Sequence, residues 1–280
     1  MADMVHGVLT GYDGSRGSEQ ALAWAIREAQ ARRTVLTVCH AWEACQAAPG
    51  DEEAVAALAR RGGEQILARG MRYVQAITDP GQVRPLLADG PAGQVLCEHS
   101  TCAEMVVVAA RGGSGFAGPR LGPVSGQVAA HGHGPVVVVR GHWRQAAEYL
   151  PGPVVTGVDG SDASQAAVAF AVEEAELRGA PLLAVCARAD TPGTLGGGHR
   201  LEDFFGQLMD SWQEKYPALD IQRQVAGGSP RAALLEAAHT AQLIVVGARG
   251  RGGVHGMALG SVSHALLRHA PCPVAVIHPR

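Results

Sequence analysis

A chain of 280 residues, 47% apolar and 18% charged, is long enough for two ordinary domains that each bury a core, and its composition excludes a disordered majority. A net charge of −3 gives no support to non-specific nucleic-acid binding. No apolar run approaches the roughly 18 residues that span a bilayer, and Met1 to Val8 lacks the basic-then-apolar pattern of a signal peptide. A cytoplasmic protein, partnered by neither nucleic acid nor membrane, is the expectation.

In chain order, an apolar run leads into Gly11-Tyr12-Asp13-Gly14-Ser15, which reads as a strand and a tight turn. Ser18 opens a stretch with Ala21, Leu22, Ala25, Ile26 and Ala29 at spacings of three and four, an amphipathic helix with a serine cap. A strand at Val35–Cys39, a helical stretch over 51–78, a strand near Gln82–Leu87 and a helix near Gly93–Ser100 follow. Next come a strand at Met105–Ala109, a glycine-rich loop, a helix and a final strand at Val136–Arg140. Gly141–Gly152, with its charges, Trp143 and Pro151, reads as a linker.

The order then repeats. Pro153-Val154-Val155-Thr156-Gly157-Val158-Asp159-Gly160-Ser161 matches residues 7–15, and Ser164 opens a helix through Val168, Ala171, Val172 and Ala175. Strands at Leu182–Cys186, near Asp220–Val225, at Leu243–Val246 and at Val274–His278 alternate with helices at 200–215, near Arg231–Thr240 and from about Ser261 to His269. The offset between copies falls from 146 at Asp13 and Asp159 to 138 at Gly112 and Gly250, so the second middle is eight residues shorter. Alternating strands and helices, with near-continuous Val, Ile and Leu runs, predict parallel sheets covered on both faces. The expected domains are 1–142 and 153–280.

Ligands of such sheets sit beyond the carboxyl ends of the strands. Two motifs in each copy fall there: the Asp-Gly-Ser turn and the glycine loop. Asp159 suits a ribose hydroxyl, an adenine amine or a metal, and equally an Asx turn or a cap for the helix near Ser164. Residues 247–260 hold six glycines, more than a strand-to-helix turn requires. Gly247 and Gly250 let the backbone bend and approach a ligand, and Gly260 precedes a helix whose free N–H groups favour an anion. Ser261 and Ser263 add hydroxyls, although Ser261 also suits a plain helix cap. Arg249 and Arg251 can pair with phosphate, with solvent the favoured surrounding of Arg251.

Several other readings are excluded or set aside. Gly-x4-Gly-Lys-Ser/Thr is absent and Lys215 is the sole lysine, so a P-loop enzyme is ruled out. Gly113-Ser-Gly115-Phe-Ala-Gly118 satisfies the dinucleotide fingerprint but follows a fourth strand, with no Asp or Glu from 119 to 147. The six cysteines form no CxxC pair and are expected as buried reduced thiols. His131 and His133 lack a third metal ligand, and His199 falls in what reads as a loop. His255 and His264 are the candidate bases beside the second loop, but no catalytic residue is assigned.

Together these residues resemble a tandem universal stress protein. That family's nucleotide motif, Gly-x2-Gly-x9-Gly-Ser/Thr, is met by Gly247, Gly250, Gly260 and Ser261, and the Ala-Pro-Cys-Pro-Val stretch of 270–274 and the two Asp-Gly-Ser turns agree. The resemblance implies an α/β fold of two tandem five-stranded parallel sheets, order 3-2-1-4-5, flanked by helices and adenine-nucleotide α-hydrolase-like. It also implies an internal pseudo-dimer through Val136–Arg140 and Val274–His278. ATP is the implied ligand, with or without magnesium, for which Asp159 is the candidate. Gly157, Val158 and Asp159 would border the adenosine, and a backbone group near Cys186 or Ala187 would meet the adenine edge. Gly247, Arg249, Gly250, Gly260, Ser261, Val262 and Ser263 would hold ribose and phosphates.

The first copy keeps Asp13, Gly112, Gly122 and Ser125 as weak equivalents. Pro123 stands where Ser261 offers an N–H and a hydroxyl, Ala109 adds a methyl at the place of Gly247, and Tyr12 replaces Val158. The expectation is a nucleotide-responsive binding module with ATP in the second domain and weak or no binding in the first. A slow ATPase or phosphotransferase and a nucleotide-free scaffold are the alternatives. An unidentified protein partner and a homodimer of chains stay open.

Overall fold

The computed structural model describes residues 7–45, 48–112, 121–140, 152–188, 197–251 and 257–279. The fingerprint at 113–118, His255 and all of the linker before Gly152 lie outside them. The chain forms two compact units, Met1–Gln145 and Ala146–Arg280. The first runs β1 (Gly7–Gly11), α1 (Arg16–Arg32), β2 (Leu36–Trp42), α2 (Glu52–Gln75), a 3-10 turn, β3 (Val83–Asp89), α3 (Ala92–Ser100), β4 (Ala103–Ala109), α4 (Pro123–His131) and β5 (Pro135–Val139). The second runs β6 (Val154–Val158), α5 (Asp162–Arg178), β7 (Leu182–Arg188), α6 (Gly197–Lys215), β8 (Ile221–Gly227), α7 (Pro230–Ala237), β9 (Leu243–Gly247), α8 (Ser261–His269) and β10 (Val274–Ile277).

Within the first unit the strand order is β3-β2-β1-β4-β5, and within the second β8-β7-β6-β9-β10, which is 3-2-1-4-5 in both. The ladders within each unit are parallel. Leu9, Leu36 and Met105 of the first unit and Leu182, Leu243 and Ile244 of the second are fully buried, each such side chain stabilising by about 1.5–3 kcal/mol. Edge strand β8 is mostly exposed and β3 partly so, and they carry Arg84, Pro85, Gln222, Arg223 and Gln224, residues that discourage further strand pairing. Each long first helix also pairs a buried glutamate with an arginine one turn on, Glu28 with Arg32 and Glu174 with Arg178.

Local chemistry shifts some expected boundaries. The helices open three residues earlier than expected: Ser15 and Ser161 are the caps, their Oγ atoms accepting from the N–H of Ser18 at 3.1 Å and of Ser164 at 3.2 Å. Ser18 and Ser164 instead turn their hydroxyls back to the carbonyls of Ser15 and Ser161. Register pairs Gly11 with Cys39 but Gly157 with Val185, so His40 rather than Cys39 is the counterpart of Cys186. Helix α6 begins at Gly197 and so includes His199, which its glycine neighbours had suggested was loop. Only Cys39, Cys186 and Cys272 are buried among the free thiols; Cys97 and Cys102 are half-buried and Cys45 is exposed. Burial pushes the Cys39 thiol up to about 12.

The two units solve one packing problem in opposite ways. A Cβ on Gly247 would lie 2.7 Å from Ala163 Cβ and 2.8 Å from its carbonyl oxygen, in the first turn of α5. In the first unit the counterpart of Gly247 is Ala109 and that of Ala163 is Gly17, where a Cβ would stand 2.2 Å from Arg111 O and 3.4 Å from the Ala109 methyl. The Ala109 methyl thus sits at an ordinary contact distance from the helix, and the Arg111 carbonyl is what leaves no room for a side chain at Gly17. Gly247→Ala is expected to destabilise by about 1–3 kcal/mol through overpacking. Ala163→Gly removes the Cβ contact but leaves the Ala163 carbonyl at 2.7–2.8 Å, so the double variant should recover only part of the loss in urea unfolding, whereas full additivity would show that the two Cβ positions do not press on each other.

Candidate functional site

At the carboxyl end of β6 the chain turns through Asp159-Gly160-Ser161, with Gly160 at φ +77°. Asp159 Oδ1 accepts from the Ser161 N–H at 2.9 Å and the Ser161 hydroxyl at 2.6 Å, while Oδ2 accepts from the Arg251 N–H at 2.9 Å. Asp159 thus closes an Asx turn and reaches across to the loop after β9, and it does not cap a helix at Ser164. Burial alone would raise its carboxyl pKa. The hydrogen bonds from Ser161, from the Arg251 backbone and with Ser164 outweigh burial and hold it below its ordinary value.

The loop after β9 is closed at its base by backbone. Ala248 N–H donates to Ile277 O at 2.9 Å, and Gly260 N–H donates to Ala248 O at 2.7 Å. The Ser263 hydroxyl donates to Gly247 O at 2.7 Å and approaches Ala248 O at 3.2 Å, so its proton is committed to the loop rather than offered to a ligand. Gly260 caps α8 in an extended conformation without a side-chain bond, which places Ser261 inside the helix at its first position, not at the cap. The first intrahelical amide is His264 N–H, bonded to Gly260 O at 2.9 Å. The N–H groups of Ser261, Val262 and Ser263 are left without a helical acceptor and border the cavity in front of the helix.

That cavity has a volume of about 420 Å³. Gly157, Val158, Asp159, Ala187, Gly247, Arg249, Gly250, Gly260, Ser261, Val262 and Ser263 all line it. Arg251, weighed as a phosphate partner with solvent favoured, lines it as well, as do Ser161, Ser164, Val185, Pro230, Leu234 and Val246, which were not foreseen. Leu234 of α7 covers Gly157, where a Cβ would lie 2.9 Å from Leu234 Cδ1. A glycine within an apolar strand is the sequence signal for such an approach. Arg251 is exposed, as its position in the loop suggests, yet its guanidinium lies over Gly160, 2.4 Å from where a Cβ would stand.

The first unit brings Asp13, Gly112, Gly122 and Ser125 together around a cavity of about 140 Å³. Its contraction follows from two larger residues. Tyr12 and His40 stand where the second unit has Val158 and Cys186, and both are buried. The Tyr12 ring packs on Gly70 of α2, and His40 Nδ1 donates to Tyr12 O at 2.8 Å. Pro123 opens α4 without an N–H, and Ser125 Oγ donates to Ala110 O at 2.9 Å.

No cluster of three His, Cys, Asp or Glu groups suited to a metal occurs among the described residues. A carboxylate has about four lone-pair sites, and protein donors occupy three on Asp159, which gives poor support to a metal role there. His131, His133 and His264 are exposed. No helix among the described residues is long and apolar enough to cross a membrane.

Fold and site define a doubly wound α/β domain, present twice, with an open helix N-terminus beyond its fourth strand. The chain belongs to the Universal stress protein family, whose profile matches residues 4–140 and again 152–278. It is 34% identical to a universal stress protein of Mycolicibacterium smegmatis over 98% of both chains. It is 31% identical to one of Mycobacterium tuberculosis over 96% of this chain and 95% of the relative. A universal stress protein of Archaeoglobus fulgidus shares the fold, with a TM-score of 0.74 at 20% identity over 98% of each chain.

The Asp159 shift carries a sign. Its folded pKa lies below the ordinary 3.8, so its stabilisation is complete above that value and is lost as pH falls through the lowered one. Asp159→Asn should therefore be less stable than wild type at neutral pH, with the gap closing in acid, as read from urea midpoints across pH.

Proposed function

We propose that this chain is an ATP-binding universal stress protein whose second domain takes the nucleotide and which acts as a nucleotide-responsive regulatory binding module. Gly260 is the observation that carries the reading. Its φ of −73° suits any residue, and a Cβ there would meet nothing closer than 3.5 Å. Nothing in the fold itself requires glycine at this position. What the missing side chain does is keep space open before the Ser261, Val262 and Ser263 N–H groups, an arrangement suited to phosphate.

The remaining surfaces suit the rest of the nucleotide. Val158, Val185 and Leu234 supply an apolar wall for a flat base, and Ala187 lies near the end of β7, where backbone can meet its edge. Arg249 and the Ser261 hydroxyl are exposed at the phosphate end. Magnesium, on this reading, arrives with the phosphates and not on a protein cluster. The first domain offers about 140 Å³ against about 420 Å³ and one helical N–H fewer at Pro123, so weak or no binding is assigned to it. The polypeptide partner that would respond to occupancy is unassigned.

Denatured protein should release about one ATP per chain, identified by chromatography and mass, and calorimetry should give one tight site. Gly260→Ser should hold or raise the melting temperature, because serine caps α8, while weakening ATP binding at least tenfold, about 1.4 kcal/mol. Gly122→Ser should leave ATP binding unchanged. Two tight sites per chain, or a Gly260→Ser variant that binds like wild type, would overturn the assignment, and ADP accumulating with time would move it to an enzyme.

A further inference from the structure

We infer that the second domain carries a further site, for an aliphatic polyamine, at the end of its sheet opposite the nucleotide cavity. The inference stands apart from the ATP reading and does not need it. A groove of about 510 Å³ lies between the last turn of α5 and the tail of α6, where β7 and β8 begin. Glu176, Gly179, Lys215, Tyr216, Leu219 and Asp220 are among the residues that line it. Two helices end here, and each adds about half a negative charge from its dipole to the two carboxylates.

The first unit shows what the groove lacks. Register pairs Leu36 with Val83 and Leu182 with Ile221, and the buried Leu67 and Met71 of α2 match Phe205 and Met209 of α6. The counterparts are therefore Gln30 and Glu176, Ile77 and Lys215, Gln82 and Asp220. In the first unit Gln30 Nε2 donates to Ile77 O at 3.5 Å and bridges the two helix ends. Glu176 is an acceptor only and cannot repeat this bond, and no backbone donor reaches Lys215 O among the described residues. Two acceptors thus stand where the other copy has an acceptor and a donor. The exchange of Gln82 for Asp220 adds a second carboxylate, whose Oδ2 accepts from Gln222 Nε2 at 2.9 Å.

The chain's own cation does not fill the place. Lys215 sets its ammonium over the Trp212 and Tyr216 rings, 5.0 and 5.3 Å from their centres, and among the described residues it pairs with neither carboxylate. A metal fits poorly, because no three His, Cys, Asp or Glu groups come together among the described residues. Ala180, Pro181 and Leu219 give the groove an apolar wall. That combination suits an alkyl chain bearing more than one ammonium group, with a donor for each carboxylate.

Spermidine titrated into the full chain, in nucleotide-free buffer, should shift the backbone amide resonances of Gly179, Tyr216 and Leu219 saturably. Sodium chloride at equal ionic strength should not. Glu176→Gln gives the second unit the amide of the first, so it should hold the melting temperature while weakening spermidine at least tenfold, about 1.4 kcal/mol. Asp220→Asn, with Glu176 untouched, should also weaken spermidine, and it decides the matter should Glu176→Gln fail to fold. No saturable shift, an equal shift with sodium chloride, or variants that bind spermidine like wild type would overturn the site.

Discussion

Close approach between the exit of β9 and the first turn of α5 is the constraint from which the site follows. Gly247 lets the strand backbone lie against Ala163, within a distance that leaves no room for a methyl. With helix and strand held that near, the Asp-Gly-Ser turn stands beside the glycine loop and one carboxylate spans both. The loop's base is then tied by Ala248, Gly260 and the Ser263 hydroxyl, which together fix where α8 begins. The open N–H groups face the cavity because this framework aims them there.

Duplication shows which parts of that framework are interchangeable. The missing methyl moves from strand to helix between the units, as Gly247 and Ala163 become Ala109 and Gly17, and the packing survives. The Asp turn and the close approach of the second loop glycine survive too. What differs is the lining. Tyr12 and His40 fill volume that Val158 and Cys186 leave free, and Pro123 deletes a donor without disturbing the helix, since proline suits a first helical turn. The two units therefore differ in the volume and lining of the cavity and share the scaffold.

Much of this was legible in the residues because periodicity and repetition are local signals. The strands and helices follow from alternating apolar runs, while strand order and most residues lining the second cavity follow from the family resemblance carried by Gly247, Gly250, Gly260 and Ser261. Contacts across the fold were less legible. Ser15 and Ser18 are both chemically good caps, and only backbone geometry selects Ser15. Gly17 gave no sign in sequence of the Arg111 carbonyl that packs against it, 94 residues away in the chain. Leu234 entered the site through tertiary packing on Gly157, and the place of the Arg251 guanidinium over Gly160 was likewise set by the fold, with the glycines alone giving half the signal. The Ser263 hydroxyl looked like a ligand donor because its acceptors, the carbonyls of Gly247 and Ala248, carry no mark in sequence.

The same chemistry bears on the proposed reading of the site as one that holds a nucleotide. Lys215, the sole lysine, stacks over Trp212 and Tyr216 at 5.0 and 5.3 Å, away from the cavity. Positive character at the cradle comes instead from backbone N–H groups, a fixed and untitratable source, supplemented by exposed arginine. Hydrolysis asks for a base able to take a proton from water. The nearest carboxylate, Asp159, is held ionised by its donors and is correspondingly weak as a base. On the proposed reading, N–H groups at the start of α8 meet phosphate, and Asp159 joins their loop to the first turn of α5.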